Sequence, residues 1–315
     1  MSKQSMTVGL IGAGSVGSGW AASCLAAGFK VAAFDPSPAA EQKARSYLTA
    51  SWPALQEMGV AKTAAPPLEN LRFASFEDVV ELADYLHENG PEDTAVKRSI
   101  YARIESLSPR EQIICSSSGG IPPTELQAQM DRPHRLVIAH PFNPPHLIPL
   151  VEIIGGEKTD PTVVERTFEM MEALGKHPIR IKKEMVAYMA NRLQFALLRE
   201  AIFCLKEGVA DAVDIDDALR FALAPRWAIM GPLRSFALAG GTGGMENALA
   251  LFAQANQRWF DSLGTVRLDA DVQQTLIEAS KDLFREHSVE DWVRIRDQRL
   301  PGVTKAAIDG KNRPA

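Results

Sequence analysis

His140 closes a predicted strand, Glu152 lies inside the next one, and Asn191 sits in a long helical stretch. These three side-chain types suit one kind of chemistry. When hydride leaves a carbinol carbon, a base must take the hydroxyl proton, and a His that titrates near neutrality suits that task. A carboxylate at its other ring nitrogen fixes the tautomer and stabilises the imidazolium that forms. An amide can hydrogen-bond the oxygen as it becomes a carbonyl. The Pro-rich loop between His140 and Glu152 allows the two strands to fold back so that the side chains meet. Taken singly, each residue also has a structural reading. His140 can cap its strand, Glu152 can serve an isolated ion pair, and Asn191 can bond its own helix.

A hydride needs an acceptor, and the N-terminus supplies a place for one. The run Val8-Gly9-Leu10-Ile11-Gly12-Ala13-Gly14-Ser15-Val16-Gly17 leads from an apolar strand into a helix ended by Gly28. Lys30 to Phe34 form a second strand with Asp35 at its tip. In such a unit Gly12 makes the tight turn, Gly14 admits the backbone to a pyrophosphate, and Gly17 lets helix and strand pack closely. Ala13 and Val16 complete the loop. The helix N-terminus faces the phosphate charge. Asp35 can accept hydrogen bonds from the ribose hydroxyls, and the following Pro36-Ser37-Pro38 offers no Arg for a 2'-phosphate. The expected cofactor is NAD rather than NADP.

These residues need a frame. The first half alternates short apolar runs with helical stretches, with strands expected at Leu71–Phe73, Ala83–His87, Gln112–Cys115, Leu136–Ala139, Leu150–Ile154 and His177–Ile181. That is an α/β pattern, a Rossmann-type doubly wound sheet, and such sheets bind ligands beyond their strand C-termini. After Lys182 only helical periodicity remains, at Met185–Lys206, Ile215–Ala224, Met245–Leu263, Ala270–His287 and Val289–Arg299. The reading is an NAD-binding domain over 1–184 and an all-helical domain over 185–315. The tail from Lys311 onward is expected to fray.

Bulk properties narrow the partners. The 315 residues suffice for two domains, and a formal net charge of −5 argues against a nucleic-acid partner held through phosphates. No apolar run reaches the roughly 20 residues of a membrane span. Cys24, Cys115 and Cys204 fit no metal spacing, so no metal is expected. With no signal-peptide pattern at the start, the composition fits a reducing cytoplasm.

Three motifs then carry a resemblance. His140-Pro141-Phe142-Asn143-Pro144-Pro145, Ile148-Pro149-Leu150-Val151-Glu152 and Asn191-Arg192-Leu193-Gln194 resemble the signature of the 3-hydroxyacyl-CoA dehydrogenase superfamily over nearly the whole chain. Their form is closer to the branch acting on free small hydroxy acids, which includes carnitine 3-dehydrogenase and the lambda-crystallin-like L-gulonate 3-dehydrogenase. The resemblance implies that His140 is the base, Glu152 its orienting partner and Asn191 the substrate-oxygen contact. It implies that Asn143 and Ser117 sit near the nicotinamide and that Glu92 and Lys97 line the cofactor site. It also implies a homodimer through the helical domain. Where the family carries a substrate-binding Ser, an ungapped count from His140 lands on Gly119. Either Ser118 takes that role through a loop shift, or the substrate hydroxyl has one contact fewer.

The segments Arg226-Trp227-Ala228-Ile229-Met230-Gly231-Pro232 and Ala239-Gly240-Gly241-Thr242-Gly243-Gly244-Met245 look more like the carnitine-oxidising members. A quaternary ammonium favours aromatic faces, which Phe142 and Trp227 can supply, and Arg226 can hold a carboxylate. The expected activity is NAD-dependent oxidation of a small 3-hydroxy acid, carnitine or a close analogue first. L-gulonate or a 3-hydroxyacyl-CoA is the second reading, and a crystallin-like NAD-binding structural protein the third.

Overall fold

The computed structural model describes residues 6–108 and 110–309; the expected fraying of the tail falls outside them. An eight-stranded sheet is built from β1 (Thr7–Ile11), β2 (Lys30–Phe34), β3 (Leu71–Phe73), β4 (Tyr85–Glu88), β5 (Ile113–Ser116), β6 (Leu136–Pro141), β7 (Leu150–Gly155) and β8 (His177–Arg180). Its order is β3-β2-β1-β4-β5-β6-β7-β8. All neighbours run parallel except β6 and β7. The order reverses direction between β1 and β4, which opens a crevice beyond their C-termini.

Strand alternation assigns side chains to two cores. Val8, Leu10, Val137, Ala139, Val151 and Ile153 share one core with Trp20, Leu48 and Met171. Ile11, Leu136, Ile138 and Ile154 share the other with Val79, Tyr101 and Tyr188. The helices over the sheet are α1 (Ser15–Ala26), α2 (Ala40–Glu57), α3 (Phe76–Leu82), α4 (Thr94–Leu107), α5 (Pro123–Gln127) and α6 (Pro161–Ala173).

The chain divides into two compact units. The first runs to Asn191 and takes in Leu300–Thr304; the second is Arg192–Arg299 with the residues from Lys305 on. The helix expected from Met185 starts instead as α7 at Ala190 and ends at Lys206. Ala187 and Tyr188 have φ of 63° and 49°, the left-handed region, which breaks a helix. Tyr188 is fully buried in the core of the first unit. Residues 185–191 therefore go with the sheet, past the boundary expected after 184.

The second unit continues with α8 (Ala212–Ala218), α9 (Ala224–Leu238), α10 (Gly244–Ser262) and α11 (Ala270–Leu283), and with α12 (Val289–Asp309) apart from its Leu300–Thr304 stretch, which belongs to the first unit. A π-helical turn, Leu219–Leu223, links α8 to α9. Among the described residues no helix is long and apolar enough to cross a membrane.

Candidate active site

Antiparallel pairing places His140 directly opposite Glu152. Both side chains lie on the sheet face of Ile138 and Ile154, where His140 meets the Tyr188 ring at a centroid distance of 5.4 Å. The His140 Nδ1–H donates to Glu152 Oε2 at 2.9 Å. An ionised carboxylate only accepts, so the proton is assigned to Nδ1 and Nε2 carries the free lone pair. The other carboxylate oxygen, Oε1, accepts from the backbone N–H groups of Met189 (3.1 Å) and Ala190 (2.9 Å). These belong to the start of α7, where backbone donors lack helical partners. Glu152 is fully buried, so its anion is held by one imidazole and two amides.

Asn191 stands one residue further along α7. Its Nδ2 donates to the Gly119 carbonyl at 2.9 Å, which fixes the amide flip and leaves the second N–H for another acceptor. A Cβ added at Gly119 would lie 3.3 Å from His140 Nε2 and 3.8 Å from Asn191 Nδ2. The glycine thus leaves room beside both groups. An oxygen placed there can meet a base and a donor at once, the arrangement a carbinol oxidation needs. Phe142 packs edge-on to the His140 ring with centroids 4.6 Å apart. Asn143 is exposed in the loop that follows.

Ser118 lies beside Gly119, with its side chain turned into the loop. It is fully buried, its hydroxyl donates to Glu92 Oε1 at 2.7 Å and accepts from Ile121 N–H at 3.2 Å. In the structure the Ser118 hydroxyl is engaged within its own loop. Ser117 is held from the other side. Its hydroxyl accepts from Trp20 Nε1 (3.0 Å), donates to Asn89 Oδ1 (2.7 Å) and lies 3.2 Å from His87 Nε2. Burial pushes the His87 imidazole down to about 3, with the Lys97 charge adding to the effect, so it stays neutral.

The cofactor loop fits its expected ligand. Gly12 has a φ of 98°, which disfavours any side chain. A Cβ at Gly17 would meet the Gly12 carbonyl oxygen at 2.0 Å, so the helix packs hard on the turn. A Cβ at Gly14 would have no atom within 4 Å, so the backbone there borders open space. The first turn of α1 has neither a side-chain cap nor an acidic residue, which leaves its N–H groups and dipole for an anion. Asp35 Oδ2 accepts from Ala13 N–H at 2.8 Å and Oδ1 from Ser37 N–H at 2.9 Å. This clamps Asp35 to the loop while lone pairs remain for ribose hydroxyls. Val16 packs against the core below.

Glu92 and Lys97 meet, but a third residue governs them. Lys97 is fully buried, with Nζ donating to both oxygens of Glu88 (2.9 and 3.1 Å) and standing 3.7 Å from Glu92 Oε2. Glu88, also fully buried, accepts from Tyr101 (2.8 Å), Ser116 (2.7 Å) and Gly90 N–H (2.6 Å) as well. Sequence reading missed Glu88. Its only signal was an acidic residue at the end of an apolar strand. Arg226 and Trp227 lie in the second unit on α9; Arg226 is exposed and its Nε donates to Ala222 O on its own helical turn at 3.2 Å. Among the described residues no group of three or more His, Cys, Asp or Glu is placed to hold a metal.

This geometry can be compared with known proteins. Residues 7–185 match the family model for the 3-hydroxyacyl-CoA dehydrogenase NAD binding domain, and residues 188–281 match that for its C-terminal domain. The chain belongs to the 3-hydroxyacyl-CoA dehydrogenase family. It is an NAD-dependent oxidoreductase acting on CH–OH groups. Among curated relatives, an L-carnitine dehydrogenase of Pseudomonas aeruginosa is 38% identical over 98% of this chain and 95% of its own length. One of Streptomyces coelicolor is 38% identical over 95% and 94%. Among solved structures, an NAD+-dependent dismutase named as 5-formyl-3-hydroxy-2-methylpyridine 4-carboxylic acid 5-dehydrogenase is 30% identical, with a TM-score of 0.83 over 98% of this chain and 99% of that one. An (S)-3-hydroxybutyryl-CoA dehydrogenase of Ralstonia eutropha is 28% identical, with a TM-score of 0.63 over 80% and 87%.

Proposed function

We propose that this family member oxidises the 3-hydroxyl of L-carnitine to the 3-keto acid. The observation that carries the reading is the similarity to L-carnitine dehydrogenases along nearly the whole chain. His140 Nε2 takes the carbinol proton while Glu152 holds the ring and balances the imidazolium. Asn191 donates to the carbinol oxygen as it becomes a carbonyl, and no hydroxyl at position 119 shares that task. Bound NAD supplies the hydride acceptor. Gly12, Gly14 and Gly17 cradle its pyrophosphate at the start of α1, Asp35 takes the adenosine ribose, and Ser117 and Asn143 lie toward the nicotinamide. Phe142 offers an aromatic edge beside the base, and Arg226 and Trp227 enter through their sequence resemblance as carboxylate and trimethylammonium contacts.

The protein works as a homodimer through its helical unit. Among the described residues of that unit, only Ile202, Ala248 and Val272 are buried apolar side chains, while Leu233 (77%), Phe221 (68%) and Trp259 (64%) are largely exposed. A helical unit with so small a core of its own calls for a partner surface.

A second reading rests on the match to the dismutase structure, whose named substrate is a formyl-bearing aromatic acid. NADH formation from L-carnitine, L-gulonate, 3-hydroxybutyryl-CoA and that formylpyridine acid separates the readings. The carnitine reading requires the highest kcat/KM with L-carnitine, and no turnover of L-carnitine beside turnover of another compound rejects it.

A further inference from the structure

The loop Ser118–Ile121 is gripped from two sides. Toward β4 and α4, one oxygen of Glu92 collects three of its donors: Ser118 Oγ at 2.7 Å, Gly119 N–H at 3.0 Å and Gly120 N–H at 2.9 Å. Toward α7, its carbonyls are taken up in turn. Gly119 O accepts from Asn191 Nδ2 at 2.9 Å, Gly120 O from Ala187 N–H at 3.3 Å, and Ile121 O from Tyr188 OH at 2.6 Å. The other Glu92 oxygen faces the Lys97 ammonium, itself anchored on buried Glu88. Converging donors on one carboxylate oxygen make charge-assisted hydrogen bonds, which are stronger than neutral ones.

From this geometry we infer that Glu92 is a positioning residue for the substrate side of the site, acting through the 118–121 loop on Asn191. The resemblance alone places Glu92 with the cofactor. Its three bonds instead set where Gly119 points its carbonyl, and that carbonyl sets the direction of the Asn191 amide. Glu88 and Lys97 serve Glu92 by holding its carboxylate from behind. The same loop fixes the opening at Gly119 beside His140 Nε2, so a drift of Glu92 widens or closes the place where the carbinol oxygen sits. This inference rests on the proposed role of Asn191 as substrate contact.

Glu92→Ala removes all three bonds, whereas Glu92→Gln keeps one acceptor oxygen for the loop but loses the charge and presents an N–H₂ in place of the oxygen that faces Lys97. Three readouts apply to both variants: NAD+ affinity by tryptophan fluorescence, steady-state kinetics with L-carnitine, and amide exchange of the peptide covering residues 117–121. Glu92→Ala is expected to raise the KM for L-carnitine roughly tenfold or more and to lower kcat, with the NAD+ Kd within about threefold of the parent. Glu92→Gln is expected to recover part of the loss. In Glu92→Ala the loop amides exchange faster, with peptides of β1 and α1 unchanged. A loss of NAD+ affinity as large as the rise in KM overturns the inference, as does unchanged exchange at residues 117–121. Should the parent enzyme not turn over L-carnitine, the substrate reading falls, and the exchange measurement still decides the role of Glu92.

Discussion

His140 and Glu152 face one another across the antiparallel pair β6–β7, with Nδ1 and Oε2 2.9 Å apart and the carboxylate fully buried. The pairing register makes this contact, so the base and its partner come from the rigid sheet and not from loops. A one-residue slip of either strand would put the two side chains on opposite faces of the sheet and break the contact.

Removing either partner has a distinct outcome. His140→Ala should lower kcat by roughly a hundredfold to ten-thousandfold with little change in NAD+ affinity. Glu152→Gln keeps an oxygen for the Met189 and Ala190 amides but presents an N–H₂ to His140. The ring then turns its lone pair to Nδ1 and loses it at Nε2, so kcat should also fall by roughly a hundredfold or more. Near-parent kcat in Glu152→Gln would remove the tautomer argument.

Asp35 should decide cofactor choice in two ways. Its carboxylate repels a 2'-phosphate, and it also bonds Ala13 N–H within the glycine loop at 2.8 Å. Asp35→Ser should therefore narrow the preference for NAD over NADP, and weaken NAD binding as the loop loses its clamp. Comparison of kcat/KM for both cofactors in parent and variant checks this. A parent enzyme that uses both equally contradicts it.

His87 should write itself into the pH dependence of stability. Its imidazole titrates near 3 when folded, against 6.5 as its ordinary value. Between these values the unfolded chain binds the extra proton, so stability rises with pH across that window and is lost as pH falls through it. One proton contributes a slope of about 1.4 kcal/mol per pH unit. Urea unfolding of the parent and of His87→Gln between pH 4 and 6.5 should show a shallower slope in the variant, whatever its absolute stability. Equal slopes would show that His87 is not the group responsible.

The oligomer is testable at once. Sedimentation at micromolar concentration should give a dimer, and Leu233→Glu, which puts a charge on a side chain 77% exposed in the single chain, should weaken it. A parent monomer contradicts the reading of the helical unit.

Much of the frame was legible because apolar runs and turn residues mark it locally. β2 and β3 fall where the sequence puts them, and His140 and Glu152 were matched from motif and spacing. What escaped was long-range or broken. Helix α6 was missed although Asp160 caps it and Pro161 opens it. Helix α9 was hidden by Pro225, Gly231 and Pro232, and it does bend at Gly231, where φ is 72°. The partners of Ser118 and the role of Glu88 escaped for one reason. Their partners, Glu92, Lys97, Tyr101 and Ser116, come together only when β4, α4 and β5 assemble, and no single-segment pattern reports that.

The central claim is that hydride leaves carbon 3 of L-carnitine while His140 takes the hydroxyl proton. L-carnitine carrying deuterium at carbon 3, incubated with the enzyme and unlabelled NAD+, tests it by mass spectrometry of the reduced cofactor. The account predicts one deuterium in each NADH and a 3-keto acid in equal amount, with the rate lost in His140→Ala. Absence of NADH, or NADH free of deuterium, would contradict it.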